Sequence, residues 1–369
     1  MLLRRSLAAL ASALVLTQAA ACSSTAKGNL STTCPDDGGC EPRTVFATGV
    51  LSTVLVTADS VYAGDLGGNV YAADKPLRAS WVVSMGSDAT RNVASFVRTS
   101  RGLYWFTSPP ATEAERKPKS ALVWYPANGT AAEVIAGELA RPLGIAAIGD
   151  VVYLAERDGL LELPVGEKVL RQVLPTAAYG LRSHGESLYF HDGLGKISSW
   201  RMGDAAPEVI VEGASLFSMP TADLSSLMYA EDPFVVDDSG LYWVEGEAFG
   251  GGKVAHAPLT GGPRETPIVV ADDVVKTISV DDGHVYWTQA DSLFLPSKTT
   301  VHRAAKDALA TSDVVLGTLV RDATSIQAMP EGVYIAASPS LTDLDVTTLG
   351  FKRYGGPLLI IPRAMLDAR

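Results

Sequence analysis

Beyond its first two dozen residues the sequence has no apolar run long enough to cross a bilayer, no clustered basic stripe and no stretch of helical periodicity. A spanning helix needs about 20 consecutive apolar residues, so the first absence leaves no candidate span. Lys and Arg number 30 against 41 Asp and Glu, a formal charge of -11. Nucleic-acid phosphates repel such a chain, so nucleic-acid binding is not expected and the acidity reads as a solubility device. Cysteine is scarce, with three, and histidine, with five, is little commoner. His184, His191, His256, His284 and His302 fall in different segments without ligand spacing. Two sulfurs cannot complete a zinc site, which takes four ligands. No metal and no cofactor are expected.

What is present begins with residues 1–21, MLLRRSLAALASALVLTQAAA. Arg4 and Arg5 precede a short apolar run, Ser6 to Leu16, and Ala19, Ala20 and Ala21 supply small residues for cleavage. That order is a secretory signal peptide, and its removal leaves a charge of -13. Cys22 follows directly. Alanines ending at a cysteine resemble the bacterial lipobox, with Ala19 where that family most often has Leu. The resemblance implies a diacylated Cys22, which holds a chain at a bilayer without a span. The neutral Ser23 implies sorting to an outer membrane, with its face left open. An ordinary signal peptide followed by an incidental cysteine is the alternative. Residues 22–42 are small, polar and punctuated by Gly and Pro, the composition of a flexible tether. With Cys22 acylated, Cys34 and Cys40 remain as a pair around PDDGG, and a small disulfide is expected in an oxidising compartment.

From residue 50 onward one unit recurs. A turn rich in Asp, Gly or Ser precedes an aliphatic residue, a Tyr and another apolar residue: DSVYA, RGLYWF, DVVYLA, ESLYFH, SGLYWV, GHVYWT and EGVYIA. The tyrosines are Tyr62, Tyr104, Tyr153, Tyr189, Tyr242, Tyr286 and Tyr334. Their mean spacing of about 45 residues accommodates four short strands per unit. Each Tyr run is preceded by a run such as STVLVTAD or KTISVDD and followed by one such as GNVYAADK or GKVAHAPLTGG. Most units then add a third, such as AEVIAGE or PEVIVEG. All are short, β-branched or aromatic, and bounded by turn residues.

The expected fold is all-β: a monomeric seven-bladed β-propeller of four-stranded antiparallel blades over residues 43–369. A blade apolar on both faces is dry only between neighbours, and closing the ring leaves no bare end. The Tyr rings, with Trp105, Trp243 and Trp287, are expected in the seams between blades. The seventh unit has no outer strand of its own. RTVFATGV, residues 43–50, has the character of the outer strands, and is expected to pair near Leu358 to Ile361 and complete that blade. VYWTQAD, Val285 to Asp291, resembles the YWTD class of propellers. VDDGHVYWT with TTVHRAAKDA, and VDDSGLYWV with GKVAHAPLTGG, are similar to lipoprotein propellers of bacteria. The resemblance implies the fold; animal YWTD propellers have six blades, against seven counted here, and fold alone does not carry function.

The turns before each Tyr are short, whereas residues 107–120, 215–232, 288–298 and 336–355 are long connections. Propeller geometry puts these on one face around the channel mouth, where binding usually resides. Arg116, Met228, Tyr229, Asp343, Asp345, Arg353 and Tyr354 are the candidate binding residues, because they mix charge with aromatic or soft surface. Solvated loop residues are the plain alternative. No catalytic set is recognised. GEAFGGGK, Gly246 to Lys253, is misspaced for a phosphate loop and continues into Val254 rather than Ser or Thr. TDLDVTTLG, Thr342 to Gly350, lacks the Gly and Glu of a calcium loop. The expected role is a membrane-anchored extracytoplasmic propeller that binds or scaffolds a protein or glycan. The alternative is a metal-dependent lactonase- or lyase-like enzyme with carboxylates converging at the channel mouth.

Overall fold

The structure is a computed structural model, which describes residues 43–47, 51–65, 67–75, 80–84, 93–107, 120–139, 142–214, 216, 233–246, 251–263, 265–270, 273–291, 298–319, 323–337, 344–345, 350–351 and 357–367. Among these residues the strands build seven four-stranded antiparallel sheets, the blades, and one two-stranded ribbon. In chain order the inner strands are Leu51–Val56, Val93–Thr99, Pro142–Ile148, Tyr179–His184, Phe234–Asp237, Val274–Val280 and Ala323–Met329. The second strands carry the repeated tyrosines: Ser60–Asp65, Gly102–Thr107, Val151–Glu156, Ser187–His191, Gly240–Gly246, His284–Ala290 and Gly332–Ala337. The third strands are Val70–Asp74, Ser120–Pro126, Gly159–Leu163, Ile197–Arg201, Gly252–Ala257, Thr299–Ala305 and Pro357–Pro362. Blades one to six end in the outer strands Ser80–Ser84, Glu133–Leu139, Arg171–Leu174, Glu208–Val211, Glu265–Val270 and Val314–Leu319. In blade seven the outer position is held by Arg43–Ala47, with Arg43 opposite Ile360 and Ala47 opposite Pro357.

Side chains alternate along a strand, so the Tyr of each second strand faces one neighbouring blade and the residues flanking it face the other. Seven apolar clusters result, one per seam. Tyr62 packs with Leu103 and Trp105 of blade two, and Tyr104 with Val152 and Leu154 of blade three. Tyr153 meets Leu188 and Phe190, Tyr189 meets Leu241 and Trp243, and Tyr242 meets Val285 and Trp287. Tyr286 packs with Val333 and Ile335. Tyr334 packs with Val61 and Ala63 of blade one, which shuts the ring. None of the seven tyrosines is more than 7% exposed. Each such ring contributes roughly 2 kcal/mol of transfer free energy.

The glycine two residues before several of these tyrosines has a steric cause. At Gly102 and Gly332 the backbone takes φ of +145° and +155°, and a Cβ would fall 2.1 Å from the Tyr125 carbonyl oxygen and 2.3 Å from that of Ile361. The junction of blades seven and one has its own polar fastening. The Gln327 amide behaves as a piece of strand: Oε1 accepts from Val56 N at 2.7 Å and Nε2 donates to Val56 O at 2.9 Å.

Among the described residues two short elements depart from the all-strand reading of the repeat units, a 3-10 helix at Lys306–Ala308 and a helix that closes blade seven. The strand Pro357–Pro362 gives way to a short helix, Arg363–Asp367. Pro362 has no N–H to continue the ladder. Leu366 of this helix is fully buried against blades six and seven, and Arg303 Nη1 donates to its carbonyl at 2.8 Å.

Removing residues 43–50 takes the outer strand from blade seven and bares the edge at Leu358, Leu359 and Ile360. The expected outcome is loss of the single cooperative thermal transition, followed by circular dichroism and calorimetry. An unchanged melting profile would show that this strand does not hold the ring.

Candidate functional site

Each blade alternates direction, so its connections divide between two faces. The turns from inner to second strand, and from third to outer strand, open on one face, here the tight-turn face. The connections from second to third strand, and from each blade to the next, open on the opposite, long-connection face. The strand ends that flank the long connections all lie on the latter: Thr107 and Ser120, Val211 and Phe234, Ala290 and Thr299, Ala337 and Pro357. Arg116, Met228, Tyr229, Asp343, Arg353 and Tyr354 lie outside the described residues, as do Cys22, Cys34 and Cys40. Asp345 falls in the ribbon Leu344–Asp345 with Gly350–Phe351, which interrupts the connection between Ala337 and Pro357.

The structure places at the rim of this face a position that motif reading passed over. Three residues after each tyrosine stand Asp65, Thr107, Glu156, Asp192, Glu245, Gln289 and Ala337. Several of these clamp the hairpin that follows. Asp65 accepts from Asn69 N at 2.7 Å, Asn69 Nδ2 at 2.9 Å and the Tyr71 hydroxyl at 3.1 Å. Burial pushes its carboxyl up despite these donors. Thr107 Oγ1 accepts from Ala121 N at 3.1 Å. Asp192 accepts from Leu194 N at 2.7 Å and Lys196 N at 3.0 Å. Glu245 takes the Trp243 indole N–H at 2.8 Å. The signal was available in the alignment of the repeats, at a fixed offset from Tyr.

Around the channel mouth six of the seven inner strands slip register near their first residues, as between Leu51 and Thr53 or Ala323 and Ser325. Bulges of this kind turn a strand and recur next to binding sites. Blade four adds a fixed projection. Its hairpin tip carries Leu194, 90% exposed, between Gly193 and Gly195. Below the tip His191 stacks on Tyr179 at 5.3 Å, lies edge-on to Phe234 at 6.3 Å, and accepts from Gly193 N through Nδ1 at 3.2 Å. Burial holds this imidazole down at about 4, so it is neutral near pH 7.

The tight-turn face is organised by charge. At three consecutive seams an acid of the turn before Tyr meets a cation that directly follows the third strand of the next blade. Lys306 pairs with Asp237, Arg363 with Asp281, and Lys75 with Glu331. Burial pushes each carboxyl up, but the hydrogen bonds from its cation and neighbouring donors outweigh it and hold it below the ordinary range. The tyrosine tips join in: Tyr286 donates to Asp281 at 2.8 Å and Tyr334 to Glu331 at 2.9 Å. Burial, then Asp281, pushes the Tyr286 hydroxyl up to about 12. Arg363 also donates to the carbonyls of Met329 and Pro330, at 2.8 and 3.0 Å. At the next seam Arg98 of blade two bonds the Tyr62 hydroxyl. Other seams carry polar contacts on this face too: Ser100 N and Oγ donate to Asp150 between blades two and three at 2.9 and 2.7 Å, and His184 Nε2 meets Asp238 between blades four and five at 3.0 Å.

The histidines do not meet as ligands, and among the described residues no group of three or more His, Cys, Asp or Glu could hold a metal ion. His302 is bonded at both ends, Nδ1 with Asp313 at 2.9 Å and Nε2 with Thr300 Oγ1 at 3.0 Å, and stacks on Trp287. The line ties the third strand of blade six to its outer strand.

Two outcomes follow from these contacts. The fold binds neutral His191, so its stability is complete above the ordinary value of 6.5 and is lost as pH falls toward 4, by roughly 3 kcal/mol in all. Urea midpoints at pH 7 and 4.5 should differ less for His191→Phe than for the parent; equal slopes would remove His191 as the cause. Arg363→Met should lower stability by about 3 kcal/mol, because it strands a half-buried Asp281 and two carbonyls. Denaturant melts of the variant and of the Arg363→Met, Asp281→Leu pair measure it, with part of the loss recovered in the double variant.

No family model and no curated protein matches the chain. Solved structures match it at low identity. The structure of U3-55K is 11% identical, with TM-score 0.59 over 87% of this chain and 98% of that one. The WD40 β-propeller domain of Doa1 is 14% identical, with TM-score 0.52 over 85% and 93%. The extracellular domain of BT4673 from B. thetaiotaomicron is 13% identical, with TM-score 0.56 over 84% of this chain and 38% of that one. At such identities the likeness is one of fold: the chain is a seven-bladed β-propeller.

Proposed function

We propose that the chain is an exported propeller, anchored through a lipid on Cys22, that binds or scaffolds a protein or glycan partner on its long-connection face without catalysing a reaction. The observation that carries this reading is the asymmetry of the two faces. One is closed by short turns and interblade ion pairs; the other receives the ends of every long connection. A rigid ring that spends its fastenings on one face leaves the loops of the other free to vary for recognition. The likeness to an extracellular domain and to WD40 propellers supports the fold this reading needs.

A metal-dependent lactonase- or lyase-like propeller would need carboxylates converging at the channel mouth. Asp65, Asp192 and Glu245 each accept hydrogen bonds within their own blade, and among the described residues no group of three or more His, Cys, Asp or Glu could hold a metal ion.

The test compares the full chain with Arg116→Glu and with Arg353→Glu, Tyr354→Ala, expressed in a native membrane background. The variants should keep the parent melting temperature yet lose a partner that crosslinks to the parent and co-purifies with it. Retention of the same partner by both variants would move the interface elsewhere. A stoichiometric metal in the purified parent, by elemental analysis, would favour the enzyme reading.

A further inference from the structure

We propose that the tight-turn face is the one turned toward the bilayer and that the long-connection face is presented away from it. This rests on the anchor reading of Cys22 and adds an orientation to it.

The argument is one of strand polarity. Gly332 begins the second strand of blade seven on the tight-turn face, and it stands opposite Pro362. Pro362 therefore ends its strand on that face. Arg43–Ala47 runs antiparallel to the same strand, with Arg43 opposite Ile360 and Ala47 opposite Pro357. The chain thus enters the ring from the tight-turn side, at the outer edge of blade seven. Everything between Cys22 and Arg43 reaches the propeller there. A seven-residue strand such as Thr299–Ala305 rises ~23 Å from one face to the other. With the long-connection face toward the membrane the tether would have to run that distance along the rim before reaching the bilayer, whereas with the tight-turn face toward it the entry point already faces the bilayer.

Two exposed positions in blade six read the orientation directly. Asp307 follows the third strand on the tight-turn face, and Lys298 precedes the same strand on the long-connection face. Asp307→Cys and Lys298→Cys are made singly in the full acylated chain carrying Cys34→Ser and Cys40→Ser, and labelled with a fluorophore. The protein is reconstituted in vesicles of phosphatidylethanolamine and phosphatidylglycerol that contain a nitroxide-headgroup lipid. Label heights differing by ~23 Å should give at least about twofold stronger quenching at D307C than at K298C. Equal quenching, or stronger quenching at K298C, with the protein still on the vesicles overturns the orientation. Cys22→Ser should release both labelled proteins and abolish quenching. If Cys22→Ser stays bound, the anchor reading fails, whatever the quenching ratio.

Discussion

A blade of this protein is apolar on both faces, and that single condition organises the molecule. The second strand puts Tyr toward one neighbour and a Leu, Val, Trp or Phe toward the other, so no blade can be dry alone. Each seam needs one blade's Tyr and the next blade's flanking residues, and seven seams need seven blades in a circle. The break in covalent continuity around the ring lies within blade seven, between its third strand, Pro357–Pro362, and its outer strand, Arg43–Ala47, which leads on to the inner strand of blade one. That break is closed by strand pairing alone.

The polar contacts are distributed accordingly. Ion pairs of the kind formed by Lys306, Arg363 and Lys75 contribute little on an open surface. Here the carboxylates are partly buried, accept from tyrosine hydroxyls as well, and lie between blades rather than within one. Lysine or arginine pairs of this kind occupy the three consecutive seams from blade five to blade one. At the seam of blades three and four the equivalent tyrosine, Tyr153, meets the Met202 sulfur at 3.5 Å. Gln327 satisfies both the N–H and the carbonyl of Val56 across the seam of blades seven and one.

The scaffold was legible because its signal is repeated. Seven tyrosines at nearly regular spacing give the number of blades, and alternation about each one gives the seam it fills. The polar rim was not read, although Asp65, Thr107, Glu156, Asp192, Glu245 and Gln289 stand at one offset from Tyr. Its side chains differ from blade to blade, so no single residue type marks it. The cations of the tight-turn face were equally silent, because Lys75, Lys306 and Arg363 follow three strands that share no sequence motif. The helix at Arg363–Asp367 is too short to show a period and is held by Leu366 and Arg303 rather than by propensity. The candidate residues of the long connections rest on composition alone, and only Asp345 among them lies in a described strand.

The separation of the ion-paired turns from the long connections has a mechanical consequence. Residues that lock the ring occupy the tight-turn face, while hairpins on the other face are closed within single blades, by Asp65 in blade one and Asp192 in blade four. A substitution in a long connection therefore changes one blade's margin without opening a seam. The converse does not hold: a change at Asp281 or Arg363 alters the relation between two blades and with it the spacing of everything they carry. The same polarity that brings the chain in at Arg43 on the fastening face keeps the entering segment clear of the variable one. The proposed recognition surface and the proposed attachment point then stand at opposite ends of strands about seven residues long, roughly 23 Å apart. A ring built this way can be held at a surface without covering the face it offers.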